Sequence, residues 1–292
     1  MGERRLTLLV TKETSVQQLL RGTLGCSAAV VRTAKQYPDG ILLDGRRACT
    51  PQLARPGQVL SILLSDRVGG SVEPADGPLE LAYEDDDLLV VNKSPGVAVH
   101  PSPGHHGDTL GNFLSAYYQK QGIPFVFRPV NRLDRGTSGL MVVARHAYAH
   151  EALKGQLHTG DFRRVYLAVC QGELPQQAGV IDQPIGRADG SPLLRAVRPD
   201  GDRAVTRYQV LRTGRGRSLV RLELETGRTH QIRVHMAWLG HPLVGDFLYG
   251  VEDKALIPRT ALHSRSLELR HPVTGQALRL HAPLPTDMLS LL

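Results

Sequence analysis

The sequence predicts an α+β protein built of two bodies, a small N-terminal unit and a larger strand-rich one. Three observations lead there. Short strand-like runs outnumber helical ones after residue 79. The first 66 residues read as a self-contained set of helix, helix, hairpin and strand. Between the two lies a stretch of different composition, RVGGSVEPADGPLE (67–80), rich in Gly, Pro and acids, which reads as a linker over 67–79.

In the N-terminal unit, SVQQLLRGTLG (15–25) predicts a helix with Ser15 as N-cap and Gly25 as stop, and SAAVVRTAKQY (27–37) a second helix. ILLDGRRAC (41–49) carries an Asp44-Gly45 hairpin turn, and ARPGQVLSILLS (54–65) closes with a strand. Further on, LELAYEDDDLLVVNK (79–93) reads as two strands around an acidic turn, and TLGNFLSAYYQKQ (109–121) as a helix. SGLMVVAR (138–145) is a strand, HAYAHEALKGQLHTG (146–160) a helix ending at Gly160, and FRRVYLAVCQG (162–172) a strand. Two more strands flank a Gly/Arg-rich turn at 214–218. THQIRVHMAWLG (229–240) predicts a helix with Thr229 as N-cap and Gly240 and Pro242 as stops.

Composition narrows the function classes. Net charge is +7, and residues 71–88, with seven acids and no base, separate two basic bodies. That balance favours an anionic partner, most often nucleic acid. No apolar run approaches the roughly 20 residues of a membrane span, and the start lacks a secretory pattern. We therefore expect a cytoplasmic protein with no membrane partner. Cys26, Cys49 and Cys170 form no C-x-x-C pair, so neither a disulfide framework nor a zinc ribbon is expected. No phosphate-binding glycine motif occurs, and no nucleotide cofactor is expected.

Three stretches hold candidate chemistry. In NRLDRGTSGLMVVAR (131–145), Asp134 lies between Arg132 and Arg135. Nearby cations keep a carboxylate charged, as nucleophilic catalysis requires. The tiny residues that follow leave room for a planar ligand, and the Thr137 and Ser138 hydroxyls could orient the carboxylate. A turn held by a salt bridge is the alternative reading. In RVYLAVC, alternation places Val165, Leu167 and Val169 together as core and turns Tyr166 away with Arg164, Ala168 and Cys170. An aromatic so placed could stack on a base; an ordinary strand tyrosine is the alternative. In TGRTHQIRVH (226–235), Arg228 precedes a helix and could pair with Asp134 or with phosphate. His230 and His235 are five apart and cannot share a metal as an i, i+4 pair does; no metal is expected. His105 and His106 sit in a Gly/Pro loop as solvent-exposed residues or RNA contacts.

Taken together, DDLLVVNKSPGVAVHPSPGHHGDTL, NRLDRGTSGLMVVAR, FRRVYLAVCQG, TGRTHQIRVHMAWLGHPLVGDFLYG and ALHSRSLELRHPVTGQALRLHAPLP, in this order, resemble an RNA pseudouridine synthase of the RluA/RluD-like, large-ribosomal-RNA type. The resemblance covers roughly residues 80–290. Residues 1–66 resemble the alpha-L RNA-binding domain of a ribosomal small-subunit protein. The resemblance implies a mixed, mainly antiparallel sheet with peripheral helices and a central catalytic cleft over 80–292. It implies Asp134 as the aspartate that attacks the target uridine, Tyr166 against the base, Arg228 paired with Asp134, and Arg132 filling the space of the flipped nucleotide. Thr137, Ser138 and Ile232 join the substrate-binding set. Asn131 stands where the family usually has His, and Ser94 where Pro is usual. The implied partner is ribosomal RNA, with transfer RNA as alternative, bound by a monomer without cofactor. A glycoside hydrolase would need a second carboxylate across the scissile bond, and no motif here offers one. A plain RNA-binding protein would not need Asp134.

Overall fold

The computed structural model describes residues 3–292. The first body is a four-stranded antiparallel sheet in the order Arg5–Leu9, Val59–Leu63, Ile41–Leu43, Arg46–Arg47. The Asp44-Gly45 turn has positive φ at both residues, 50° and 74°, as a two-residue hairpin requires. Ser27 caps the Ala28–Lys35 helix by accepting from the Val30 amide. Two features depart from the sequence reading. Arg5–Leu9 is a strand that was not anticipated, although its L-T-L alternation carries the signal. The expected helix over 15–25 is one α-turn, Val16–Gln18, continued by a π-turn, Leu19–Thr23. Gly22 and Thr23 are weak helix formers, and the Leu24 amide reaches back to the Leu19 carbonyl. Val16, Leu20, Val30, Leu60 and Ile62 form the core of this body.

The second body is a ten-stranded sheet. Its main path runs Leu81–Glu84, Leu88–Lys93, Ser138–Ala144, Leu262–Arg270, Arg163–Gln171, Arg217–Leu224, Val205–Gly214, Ala178–Asp182. Neighbours are antiparallel except Ser138–Ala144 beside Leu262–Arg270. Both faces are covered, so period two sends alternate residues of one strand into different cores. Leu89 and Val91 pack with Met141, Val143, Leu114 and Tyr118 on one side. Leu88 and Val90 pack with Leu140, Val142, Leu153 and Leu267 on the other. The peripheral helices follow the sequence reading: Leu110–Lys120 starts at a Thr109/Asn112 capping box, and Ala147–Thr159 ends at a left-handed Gly160.

The two bodies are docked. The Arg4 guanidinium forms a fork on the Asp87 carboxylate, both contacts 2.8 Å, and Arg128 meets Asp66 at 2.9 Å. Ala147 and Tyr148 pack against the N-terminal core. Residues 64–80 contain no helix or strand, yet they lie along the second body, with the Gly70 and Ala75 amides on the Phe125 and Asn112 carbonyls. Among the described residues, no helix is long and apolar enough to cross a membrane.

Candidate active site

The sheet brings the candidate motifs together at its one parallel junction. Ser138 and Gly139 start a strand that pairs there with His263 and Ser264. Gly139 has φ +105°, and a Cβ on it would stand 2.3 Å from the Ser264 carbonyl oxygen. Only glycine admits that approach. Just upstream, the Thr137 amide closes a turn onto the Asp134 carbonyl, leaving the Asp134 side chain 30% exposed.

Asp134 is met by Arg233, whose Nη1 lies 3.2 Å from Oδ2. Arg233 is the third residue of the Gln231–Trp238 helix. Its Nε and Nη2 form a fork on the buried Asp246, both at 2.7 Å. The Leu248 and Tyr249 amides donate to the Asp246 carboxylate and fix it in turn. Burial works against the Arg233 charge, but Asp246 and Asp134 outweigh it and raise its pKa. The Tyr249 and Phe247 rings flank this guanidinium, with centroids at 5.1 and 5.8 Å.

Arg228 is therefore not the partner of Asp134, which corrects the sequence expectation. Its guanidinium is 3.5 Å from Asp202 and bonds the Arg203 carbonyl at the surface. Nor does Thr229 cap the helix. His230 occupies that position with φ +58° and no side-chain cap. The Gln231 carboxamide serves this end instead, accepting from the Arg228 amide and the Thr226 hydroxyl.

Tyr166 shares a face with Arg164, Ala168 and Cys170 as expected, but that face is the interior one. Tyr166, Ala168 and Cys170 belong to the main core, while Val165 and Leu167 are half-buried. A central strand covered on both sides gives no composition contrast to tell the faces apart. The pairing with the neighbouring strand skips Arg265 at this point, where Val165 pairs with Ser266 and Tyr166 with Ser264. Burial raises the Tyr166 pKa, as does the charge of Asp134, while Arg164 and Ser264 oppose the shift.

Thr137, Ser138 and Ile232 are buried, at 2%, 3% and 4% exposure. Ser138 Oγ is bonded to His263 Nδ1 at 2.9 Å. Arg132 is exposed. Arg135 donates from its Nε to the Gly96 carbonyl. Asn131 is buried; its carboxamide oxygen accepts from the Val142 amide at 2.9 Å, while its Nδ2 has no protein partner.

Lys93 was missed. Its buried Nζ donates to the carbonyls of Ser94, Val97 and Arg135, tying two motif loops together. Burial lowers its pKa to about 7, opposed by the charge of Asp134 and assisted by Arg259. Arg259 likewise bonds the Gly136 carbonyl while gripping Asp287 near the C-terminus. The signal for Lys93 was a lysine ending an otherwise apolar strand. Asp85, Asp87 and His271 lie within 4.8 Å of one another with metal-ligand atoms, but Arg4 and His146 already engage Asp87 at the seam of the two bodies.

A buried arginine anchored on Asp246 thus faces a part-exposed carboxylate, with aromatic rings beside it. The family model described as RNA pseudouridylate synthase matches residues 87–238. YjbO of Bacillus subtilis, an uncharacterized RNA pseudouridine synthase, is 40% identical over 93% of this chain and 96% of its own. Ribosomal large subunit pseudouridine synthase D of Pseudomonas aeruginosa is 41% identical over 87% of this chain and 85% of its own. Among solved structures, human RNA pseudouridylate synthase domain containing 1 superposes with a TM-score of 0.59 at 29% identity, over 73% of this chain and 85% of that one. The chain belongs to the RluA/RluD-like family of RNA pseudouridine synthases, isomerases that convert uridine in RNA to pseudouridine.

Proposed function

We propose that the substrate is large-subunit ribosomal RNA and that Asp134 is the carboxylate that reacts with the target nucleotide. The observation that carries the second part is the Asp134–Arg233 contact. There a part-exposed acid, within the motif that also carries Arg132, faces a buried cation whose other two nitrogens are held by Asp246. The target uridine is flipped out of its stack, at about a few kcal/mol, and lies against Tyr166. The exposed Arg132 occupies the space the base leaves. The glycosidic bond breaks, the base turns, and C1′ rejoins it at C5.

The ribosomal target is supported by the names of relatives such as the Pseudomonas aeruginosa enzyme and by the basic first body. That body, residues 1–66, is read as an RNA-binding domain that docks on the catalytic one, with the exposed Arg46 and Arg47 as phosphate contacts. The protein acts as a cytoplasmic monomer. To test the target, purified protein is incubated separately with large-subunit ribosomal RNA and with bulk transfer RNA from cells lacking the gene. Pseudouridine forming in the ribosomal RNA alone supports the reading; conversion confined to transfer RNA refutes it.

A further inference from the structure

His230 stands between the reaction centre and a fixed hydrogen-bond chain. Its Nε2 is 3.9 Å from Asp134 Oδ1, and its Nδ1 is 2.8 Å from the Tyr249 hydroxyl oxygen. The same oxygen accepts the backbone N–H of Arg195 at 3.0 Å. The two rings meet edge to face with centroids 5.6 Å apart. The His230 backbone is left-handed, φ +58°, a conformation side-chain-bearing residues rarely adopt. Such backbones persist where the surroundings over-determine them, and they gather at functional sites.

The protons in this chain can be counted. A phenol has one. The Tyr249 oxygen takes the Arg195 N–H, so its own O–H is free to point at His230 Nδ1. Burial raises the Tyr249 pKa above its ordinary value, so that proton stays on the phenol at neutral pH. A ring nitrogen that accepts an O–H carries a lone pair, and the neutral imidazole then holds its hydrogen on Nε2. Nε2 faces Asp134. Burial lowers the His230 pKa; Asp134 and Asp246 oppose this, and Arg233 and Arg195 assist it. At 3.9 Å the Nε2–H is too far from Asp134 for a hydrogen bond, so the donor is not spent on the carboxylate.

We propose that His230 is a further catalytic group, a neutral donor whose Nε2–H stabilises the uracil while it is detached from the ribose. The inference rests on Asp134 being the reacting carboxylate. When the C1′–N1 bond breaks, its electron pair leaves with the base and spreads over the ring nitrogen and both carbonyl oxygens. The Nε2–H bonds that charge and keeps its proton. C1′ then bonds to C5, the C5 proton passes to solvent and N1 takes up a proton from solvent, so the product is the neutral isomer of the substrate. A fixed donor aimed at developing charge in a partly desolvated site is an effective form of catalysis.

Two readouts test this. The first is the His230 tautomer in the full-length protein labelled with 15N-histidine, its signal assigned by its loss in H230Q. The expected form is neutral with hydrogen on Nε2, and in Y249F the two tautomers mix. Hydrogen on Nδ1, or an imidazolium at neutral pH, overturns the proposal whatever the fate of the variants. The second is tritium release from RNA labelled at uracil C5 and taken from cells lacking the gene. His230→Ala lowers kcat by about 100-fold, while His230→Gln, which still offers an N–H, stays within about tenfold of wild type, with KM little changed in both. Wild-type kcat in His230→Ala overturns the proposal. A parallel Asp134→Asn protein separates the two readings: turnover there contradicts the role of Asp134, whereas the tautomer speaks for His230 alone.

Discussion

Arg233 reaches Asp134 with one nitrogen, at 3.2 Å, because its other two are fixed on Asp246 at 2.7 Å each. The geometry makes Asp246, which is fully buried, the anchor and Asp134 the end that remains free to act. A charge pair removed from water is stabilising only while both members are present. Asp246→Ala leaves the guanidinium without its anchor, and urea unfolding is expected to show a loss of about 3–5 kcal/mol. Arg233→Lys keeps the charge but not the planar fork. It is expected to fold, with kcat reduced by about 100-fold or more in the tritium-release assay.

Arg228 gives the contrasting case. Its contacts with Asp202 and the Arg203 carbonyl lie at the surface. Arg228→Ala is expected to change stability by less than about 0.5 kcal/mol and to leave kcat near the wild-type level. A collapse of kcat would restore it to the reaction centre.

The contrast also shows what the sequence could and could not tell. The turn before a buried strand and the two peripheral helices were legible from period and punctuation. Which arginine of TGRTHQIR faces Asp134 was not. Both lie in one motif, and the choice depends on Asp246, thirteen residues beyond Arg233 in a loop with no periodic signal. Tyr166 was misplaced for a related reason. Alternation separates two faces of a strand, but Val165 and Leu167 are more apolar in kind than Ala168 and Cys170, which fill the tighter interior. Lys93 was legible only as an odd charge in an apolar run.

Gly139 tests the junction that sets the site. Gly139→Ala would place a Cβ 2.3 Å from the Ser264 oxygen and 2.8 Å from its nitrogen, with φ +105° unfavourable as well. Backbone atoms cannot yield as a flexible side chain does. A destabilisation at or beyond about 3 kcal/mol is expected, measurable by denaturant titration.

The docking seam predicts acid sensitivity. Asp87 is buried, which raises its pKa, but the hydrogen bonds from His146 and Arg4 prevail and bring it to about 2. A depressed carboxyl contributes stability above its unfolded pKa and loses it as pH falls through the folded one. The seam should therefore weaken between about pH 4 and pH 2, by about 2 kcal/mol in total. His271, Asp85, His146 and Arg4 face the same carboxylate. In Asp87→Asn this part of the acid profile is expected to disappear, and stability at neutral pH to fall by a similar amount. An unchanged profile would exclude the seam as its source.

Arg46 and Arg47 lie exposed on an edge strand of the first body. Replacing both by Ala is expected to weaken RNA binding and to flatten its salt dependence by about one unit of log–log slope per lost phosphate contact. Equal affinity and slope would place the RNA elsewhere.

The account depends most on Asp134. Pseudouridine mapping of ribosomal RNA from cells lacking the gene, complemented with wild type or with Asp134→Asn at equal protein level, tests it directly. The sites restored by wild type should stay as uridine with Asp134→Asn, although the variant still binds the RNA. Restoration of the same sites by Asp134→Asn would contradict the account.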